Sequence, residues 1–152
     1  MSNLQFIKGC PLFYELFDEE VDTILKDCSV ACYDAGQAIV KEGDIGKEIY
    51  ILLSGKASVQ KNIANNIIEI AELNKGDVFG ELVLINENTR TADVVTKEET
   101  DVLVIEYDTI FSLYKKNNKI FSLLVLNLSR LLTQRLKKSN TIVEELNRQQ
   151  YE

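Results

Sequence analysis

The sequence predicts a mainly β fold with helices at both ends, a sandwich or barrel with no alternation of strands and helices. Three observations predict it. Short runs rich in β-branched and aromatic residues recur at intervals of roughly ten residues from about Val30 to Glu106. Turn chemistry separates them, with Gly36, Gly43, Gly46, Gly55, Gly76 and Gly80 between the runs. On both flanks the apolar spacing changes to a helical one.

Taken in order, Pro11 to Asp27 reads as one helix or two short ones. Leu12, Phe13, Leu16, Phe17, Val21, Ile24 and Leu25 fall near helical spacing there. The strands are expected at Gln37–Lys41, Glu48–Leu53, Lys56–Asn62, Ile67–Leu73, Arg90–Val95 and Asp101–Glu106, with Asp77-Val78-Phe79 also strand-like. Asn65-Asn66 joins two of them and tolerates the positive φ of a hairpin turn. Asp108 to Lys116 suits a short helix, and a long one runs from about Asn118 to Gln149. At 1.5 Å per residue the long helix reaches roughly 45–50 Å, more than a small β-domain covers. Phe121, Val125, Leu128, Leu132, Arg135, Ser139, Ile142 and Leu146 are spaced alternately four and three apart, as in a coiled-coil seam. The reading is one domain over 1–152, with β structure over about 29–106 and C-terminal helices over about 107–150.

Composition narrows the function. The chain has 152 residues and a net charge of −7, from 24 acids and 17 bases, so its long-range field repels nucleic-acid backbones. No apolar stretch approaches the about 18 residues a membrane span needs, and Met1 to Gly9 lacks the order of a signal peptide. Cys10, Cys28 and Cys32 are odd in number and without metal-like spacing, which reads as free thiols in a reducing cytoplasm. Histidine is absent, which removes the Ser-His-Asp triad, the Cys-His pair and imidazole metal ligation. The expectation is a cytoplasmic, non-enzymatic protein with no metal and no resident cofactor.

The chemistry-bearing stretch is Phe79 to Ala92. Gly80 follows a strand and precedes Glu81-Leu82-Val83-Leu84, a run able to form one helical turn. A helix start presents unpaired N–H groups, and glycine lets an anion approach the backbone. Arg90 adds a planar cation suited to phosphate oxygens, and Thr91 a hydroxyl beside it. Glu81 as a carboxylate only accepts, so a sugar hydroxyl is a natural partner. The same two charges equally suit a plain Glu81–Arg90 ion pair across the loop.

Phe79-Gly80-Glu81-Leu82-Val83-Leu84 with Arg90-Thr91-Ala92 resembles the phosphate-binding cassette of the cyclic nucleotide-binding domain family. Gly36 to Asp44 is similar to that family's glycine turn, Ile49 to Gly55 to its central strand, and Gly76 to Gly80 to the cassette entry. The resemblance covers about residues 10 to 150 in the family's order. It implies a double-stranded, jelly-roll-like β-roll with an N-terminal helix and a long C-terminal helix, and cAMP or cGMP as ligand.

In this resemblance Phe79, Gly80, Glu81, Leu82, Val83, Arg90, Thr91 and Ala92 form the ligand site. Gly80 and the following amides cap the phosphate, Arg90 pairs with it, Thr91 meets phosphate or base, and Glu81 accepts from the ribose 2′-OH. Arg135, Ser139 and Asn140 fall on the part of the last helix that closes over the base. Two features depart from the pattern: branched Val83 replaces a small residue and is placed to crowd the phosphate, and Asn86-Glu87-Asn88-Thr89 lacks Gly and Pro. The implied role is a sensor that signals through its C-terminal helices as a homodimer. It binds neither DNA nor membrane within this chain. The other readings are a ligand-independent dimerisation scaffold and the sensor part of a longer transcription regulator.

Overall fold

The computed structural model describes residues 3–85 and 88–152. Three short helical pieces come first: α1 (Asn3–Lys8), a 3-10 turn (Pro11–Phe13) and α2 (Asp18–Leu25). Among the described residues eight strands follow: β1 (Ser29–Tyr33), β2 (Ala38–Val40), β3 (Glu48–Ser54), β4 (Ala57–Ile63), β5 (Asn66–Leu73), β6 (Val78–Phe79), β7 (Asp93–Thr96) and β8 (Thr100–Glu106). A 3-10 helix, Glu81–Ile85, lies between β6 and β7, and α3 (Tyr107–Lys116) and α4 (Asn118–Tyr151) close the fold. The strands make two four-stranded antiparallel sheets, ordered β1-β8-β3-β6 and β2-β7-β4-β5. This is the mainly β, roll-like architecture with flanking helices that the sequence predicts.

Strand β3 explains how the layers assemble. It carries five consecutive apolar residues, Ile49-Tyr50-Ile51-Leu52-Leu53, and all are buried. Side chains alternate across a strand, so a continuous apolar run is buried on both faces. Ile49, Ile51 and Leu53 join Leu103 and Ile105 of β8 in a core that includes α2, α3 and the first half of α4. Tyr50 and Leu52 join Ala57, Leu73, Phe79, Val94 and Val102 in a second core between the sheets.

Several boundaries differ from the sequence reading. Helix α1 and strand β1 were not foreseen as elements, and Pro11–Phe13 is a 3-10 turn. Arg90 lies in the loop before β7, whose strand begins only at Asp93. The β4–β5 hairpin turns on Ala64 and Asn65, with φ of 52° and 66°, because Ile63 pairs with Asn66. Two central residues at positive φ make the tight hairpin turn that matches strand twist. Cys10, Cys28 and Cys32 are free thiols; burial raises Cys10 to about 11 and Cys28 to about 12.

Helix α4 begins where Asn117 leaves helical geometry and its side chain accepts from the Ile120 amide at 3.2 Å. Its 34 residues span about 51 Å. Ile120, Leu124 and Leu128 are buried in the molecule's own core. The expected single seam therefore mixes two faces. Leu128 belongs to the inward face, whereas Val125, Leu132, Leu136, Val143 and Leu146 are exposed. At 3.6 residues per turn this exposed stripe lies on average roughly a quarter of a turn from the inward face.

Asn127 fixes α4 to the N-terminal segment. It is 1% exposed, and its Nδ2 donates to the Leu12 carbonyl at 2.9 Å and the Tyr14 carbonyl at 2.8 Å. Its Oδ1 accepts from Arg130 at 3.0 Å, and Arg130 also pairs with Glu15 at 2.9 Å. Asn127→Ala leaves two carbonyls without donors, and orphaned buried polar groups cost about 1–3 kcal/mol each. The variant is expected to lose about 2–4 kcal/mol in urea unfolding; a loss below that of a surface substitution refutes the clamp.

Candidate functional site

A cavity of about 550 Å³ opens between the second sheet and the distal part of α4. Its floor is apolar, from Val40, Val59, Ile70, Leu73 and Val94. Phe79–Leu82 and Thr89–Ala92 form one wall, and Arg135, Lys138, Ser139 and Ile142 reach it from α4. The same helix face that buries Ile120, Leu124 and Leu128 presents these residues to the cavity.

Arg90 is the best-anchored polar group in this wall. It is 8% exposed. Nη2 donates to the Glu48 carbonyl at 3.0 Å and to Glu48 Oε2 at 3.2 Å, and Nη1 donates to the Gly80 carbonyl at 3.5 Å. The guanidinium lies 5.7 Å from the Tyr50 ring centre, and Tyr50 stacks on Phe79 with centres 4.9 Å apart. Burial, with Glu48 nearby, raises the Tyr50 phenol to about 12. The Arg90 backbone is held as firmly: its N–H donates to the Asp44 carbonyl and its carbonyl accepts from the Gly43 amide, both at 2.8 Å.

Two glycines make room for that guanidinium. A Cβ on Gly46 would lie 2.6 Å from Arg90 Nε and 2.8 Å from Cζ. Gly80 has a φ of 78°, and a Cβ there would lie 2.8 Å from both Arg90 Nη1 and the Glu48 carbonyl. The turn around Gly43, read from the sequence as the family's glycine turn, thus props the arginine in the structure.

Glu81 does not pair with Arg90. Its Oε1 meets Arg135 Nη1 of α4 at 2.7 Å, and Arg135 also donates to the Val78 carbonyl. Phe79, Gly80, Glu81, Leu82, Arg90, Thr91 and Ala92 all line the cavity, as do Arg135 and Ser139. Two expected site residues do not. Val83 is 1% exposed, turned into the protein, so its branch does not crowd the cavity. Asn140 is exposed on α4 and falls outside the lining because the helix turn carries it past the face that Ser139 shares. Of the atypical loop, Asn86 and Glu87 lie outside the described residues; Thr89 lines the cavity and bridges to Ile45.

Sequence reasoning missed Glu48, Ile142 as a cavity residue, and the strand walls. The walls are ordinary alternating strand residues, and Glu48 reads as a solvated strand end. Among the described residues no group of His, Cys, Asp or Glu could hold a metal ion, and no helix is long and apolar enough to cross a membrane.

Residues 30–117 match the family model described as the cyclic nucleotide-binding domain. The chain belongs to this family. Among its relatives, the cyclic AMP receptor protein of Thermus thermophilus is 32% identical over 135 residues, covering 88% of this chain and 61% of that protein. A cAMP-dependent protein kinase regulatory subunit of Blumeria graminis is 39% identical over 110 residues, covering 65% of this chain and 28% of that one. The solved cyclic nucleotide-binding domain of Methylobacillus flagellatus superposes with a TM-score of 0.82 at 26% identity, over 92% of this chain and 79% of the other. The chain thus spans 61% of the length of the Thermus protein and less than a third of the kinase subunit.

If this cyclic nucleotide-binding domain fixes its arginine through glycine clearance, the two sites are energetically coupled. Gly46→Ala is expected to cost about 1–3 kcal/mol by overpacking, and most of that cost should vanish in an Arg90→Ala background. Additive losses in a urea-unfolding double-mutant cycle would show that the guanidinium does not set the clearance.

Proposed function

We propose that this chain is a regulatory module that binds a cyclic nucleotide monophosphate, cAMP or cGMP, in the cavity under α4. The observation that carries this reading is one wall, Phe79–Leu82 with Thr89–Ala92, that combines a buried, pre-positioned arginine with the carboxylate of Glu81. Its size supports the reading too, since small-molecule pockets run about 300–1,000 Å³. Arg90 meets the phosphate, the Gly80 backbone lets the anion approach, and Glu81 accepts from the ribose 2′-OH. The apolar floor takes the face of the base, with Thr91 and Ser139 at its polar edges.

Occupancy passes to α4 because Arg135 ties that helix to Glu81, the group assigned to the ribose. A ligand that engages Glu81 changes what holds Arg135, and differential contacts of this kind shift a two-state element. The outward stripe Val125, Leu132, Leu136, Val143 and Leu146 is spaced for pairing with a second copy, so α4 has a ligand face and a partner face. The whole chain acts as one domain in the cytoplasm, without contacting DNA or membrane through these residues.

A second reading, a ligand-independent dimerisation scaffold, is favoured by one observation: both cavity arginines already have carboxylate partners. Titration calorimetry with cAMP and cGMP separates the two. Binding by the wild type, weakened at least about tenfold in folded Arg90→Ala, supports the sensor, since losing one partner of a buried charged contact costs about 2–5 kcal/mol. The 2′-deoxy nucleotide should bind the wild type distinctly worse, and Glu81→Gln should narrow that difference. Unchanged affinity in Arg90→Ala defeats the assignment.

The partner face has its own test. Sedimentation at tens of micromolar should show a dimer whose affinity responds to nucleotide, and Leu136→Glu should dissociate it. A wild-type monomer with and without nucleotide rules the pairing out.

A further inference from the structure

The geometry points to Lys138 as the residue that chooses the base, so that the cavity takes cGMP in preference to cAMP. This rests on the reading that a cyclic nucleotide binds with its phosphate at Arg90. The charged side chains that line the cavity are Glu72, Asp77, Glu81, Arg90, Arg135 and Lys138. Arg90 meets Glu48 at 3.2 Å, and Arg135 meets Glu81 at 2.7 Å. Glu72 is engaged by Lys97 at 2.7 Å, and Asp77 Oδ2 accepts from the Asn74 amide at 2.7 Å. Only the Lys138 ammonium has neither an ion pair nor a hydrogen bond among the described residues.

Its place on α4 sets what it meets. Arg135, Lys138 and Ile142 line the cavity at steps of three and four, one face of a helix. Arg135 sits at Glu81, the group assigned to the ribose. Lys138 lies about 4.5 Å further along the axis, and Ile142 about one turn beyond it. Arg90 belongs to the loop wall instead. A ligand laid with its phosphate at Arg90 and its ribose at Glu81 therefore brings an edge of its base to Lys138.

An ammonium has N–H donors and no acceptor. A base edge that offers only acceptors satisfies it. Guanine offers O6 and N7 side by side, whereas adenine offers N7 beside an N6 amino group that is itself a donor. Lys138 gains two acceptors from guanine; from adenine it gains one, with a donor turned against it. Glu72 and Asp77, the carboxylates able to accept from an amino group on either base, are already engaged. Thr91 and Ser139 both donate and accept, so they do not separate the bases. Lys138 is therefore the specificity determinant for the base.

Titration calorimetry on the full chain with cGMP, cAMP and inosine 3′,5′-cyclic monophosphate tests this. Inosine keeps the O6 and N7 of guanine and lacks its N2 amino group. The wild type should bind cGMP about tenfold more tightly than cAMP, with the inosine nucleotide close to cGMP. Lys138 is exposed, so its replacement leaves the fold intact. Lys138→Met keeps the apolar stem and removes the donors; it should bring the ratio of the two affinities close to one. Lys138→Arg remains a cation that only donates and should keep the preference for cGMP. Equal affinities in the wild type, or a preference for cAMP, overturn the assignment. So does a ratio that survives in Lys138→Met, as it would if Lys138 met the phosphate and both nucleotides weakened together. An inosine nucleotide that binds as weakly as cAMP overturns it as well, because selection then lies at the guanine N2. Each of these outcomes refutes only the role of Lys138 where Arg90→Ala loses both nucleotides. Retained binding in Arg90→Ala, or a wild type that binds none of the three, refutes the nucleotide reading itself.

Discussion

A guanidinium taken out of water must find acceptors for its N–H groups and a balancing charge, or the fold around it fails. Arg90 imposes that requirement here, and much of the local architecture meets it. The carbonyls of Glu48 and Gly80 supply acceptors, the Glu48 carboxylate supplies charge, and the Gly43–Gly46 turn pairs with the Arg90 backbone. Gly46 and Gly80 lack side chains where a Cβ would strike the guanidinium. Glu48 at the start of β3 and Arg90 lie 42 positions apart in sequence, so the ion pair joins β3 to the loop that leads into β7.

The sequence was legible wherever the backbone or the chemistry demanded a residue type. Gly80 at a φ of 78° and Arg90 as the permanent cation are such demands, and both line the cavity. Strand β3 was legible because burial on both faces leaves an unbroken apolar run. Glu48 was illegible because nothing local distinguishes a half-buried counter-ion from a solvated strand end. The hairpin slipped by one residue because Ala64, with no intrinsic liking for positive φ, was passed over for Asn66.

The long helix misled for a different reason. Two apolar faces run along α4, one closing its own core and one open to solvent, and heptad counting crosses between them. The core residues Ile120, Leu124 and Leu128 and the cavity residues Arg135, Lys138 and Ile142 share one face; only tertiary packing shows where core ends and cavity begins. Basic residues of α4 reach acids elsewhere in the body: Lys119 to Glu20, Arg130 to Glu15 and Arg135 to Glu81. Exposed pairs of this kind are weak singly, and the helix is seated chiefly by its buried residues.

Seating at one end has a mechanical result. Asn127 holds α4 against the N-terminal segment and acts as a fulcrum. Arg135 lies eight residues beyond it and Tyr151 twenty-four, about 12 Å and 36 Å along the axis. A rigid rod pivoting at Asn127 thus carries its tip about three times as far as the point that touches the cavity. On the proposed sensor reading, a displacement of about 1 Å at Arg135 would become about 3 Å at the end of the helix, and the rod's length would itself be the amplifier.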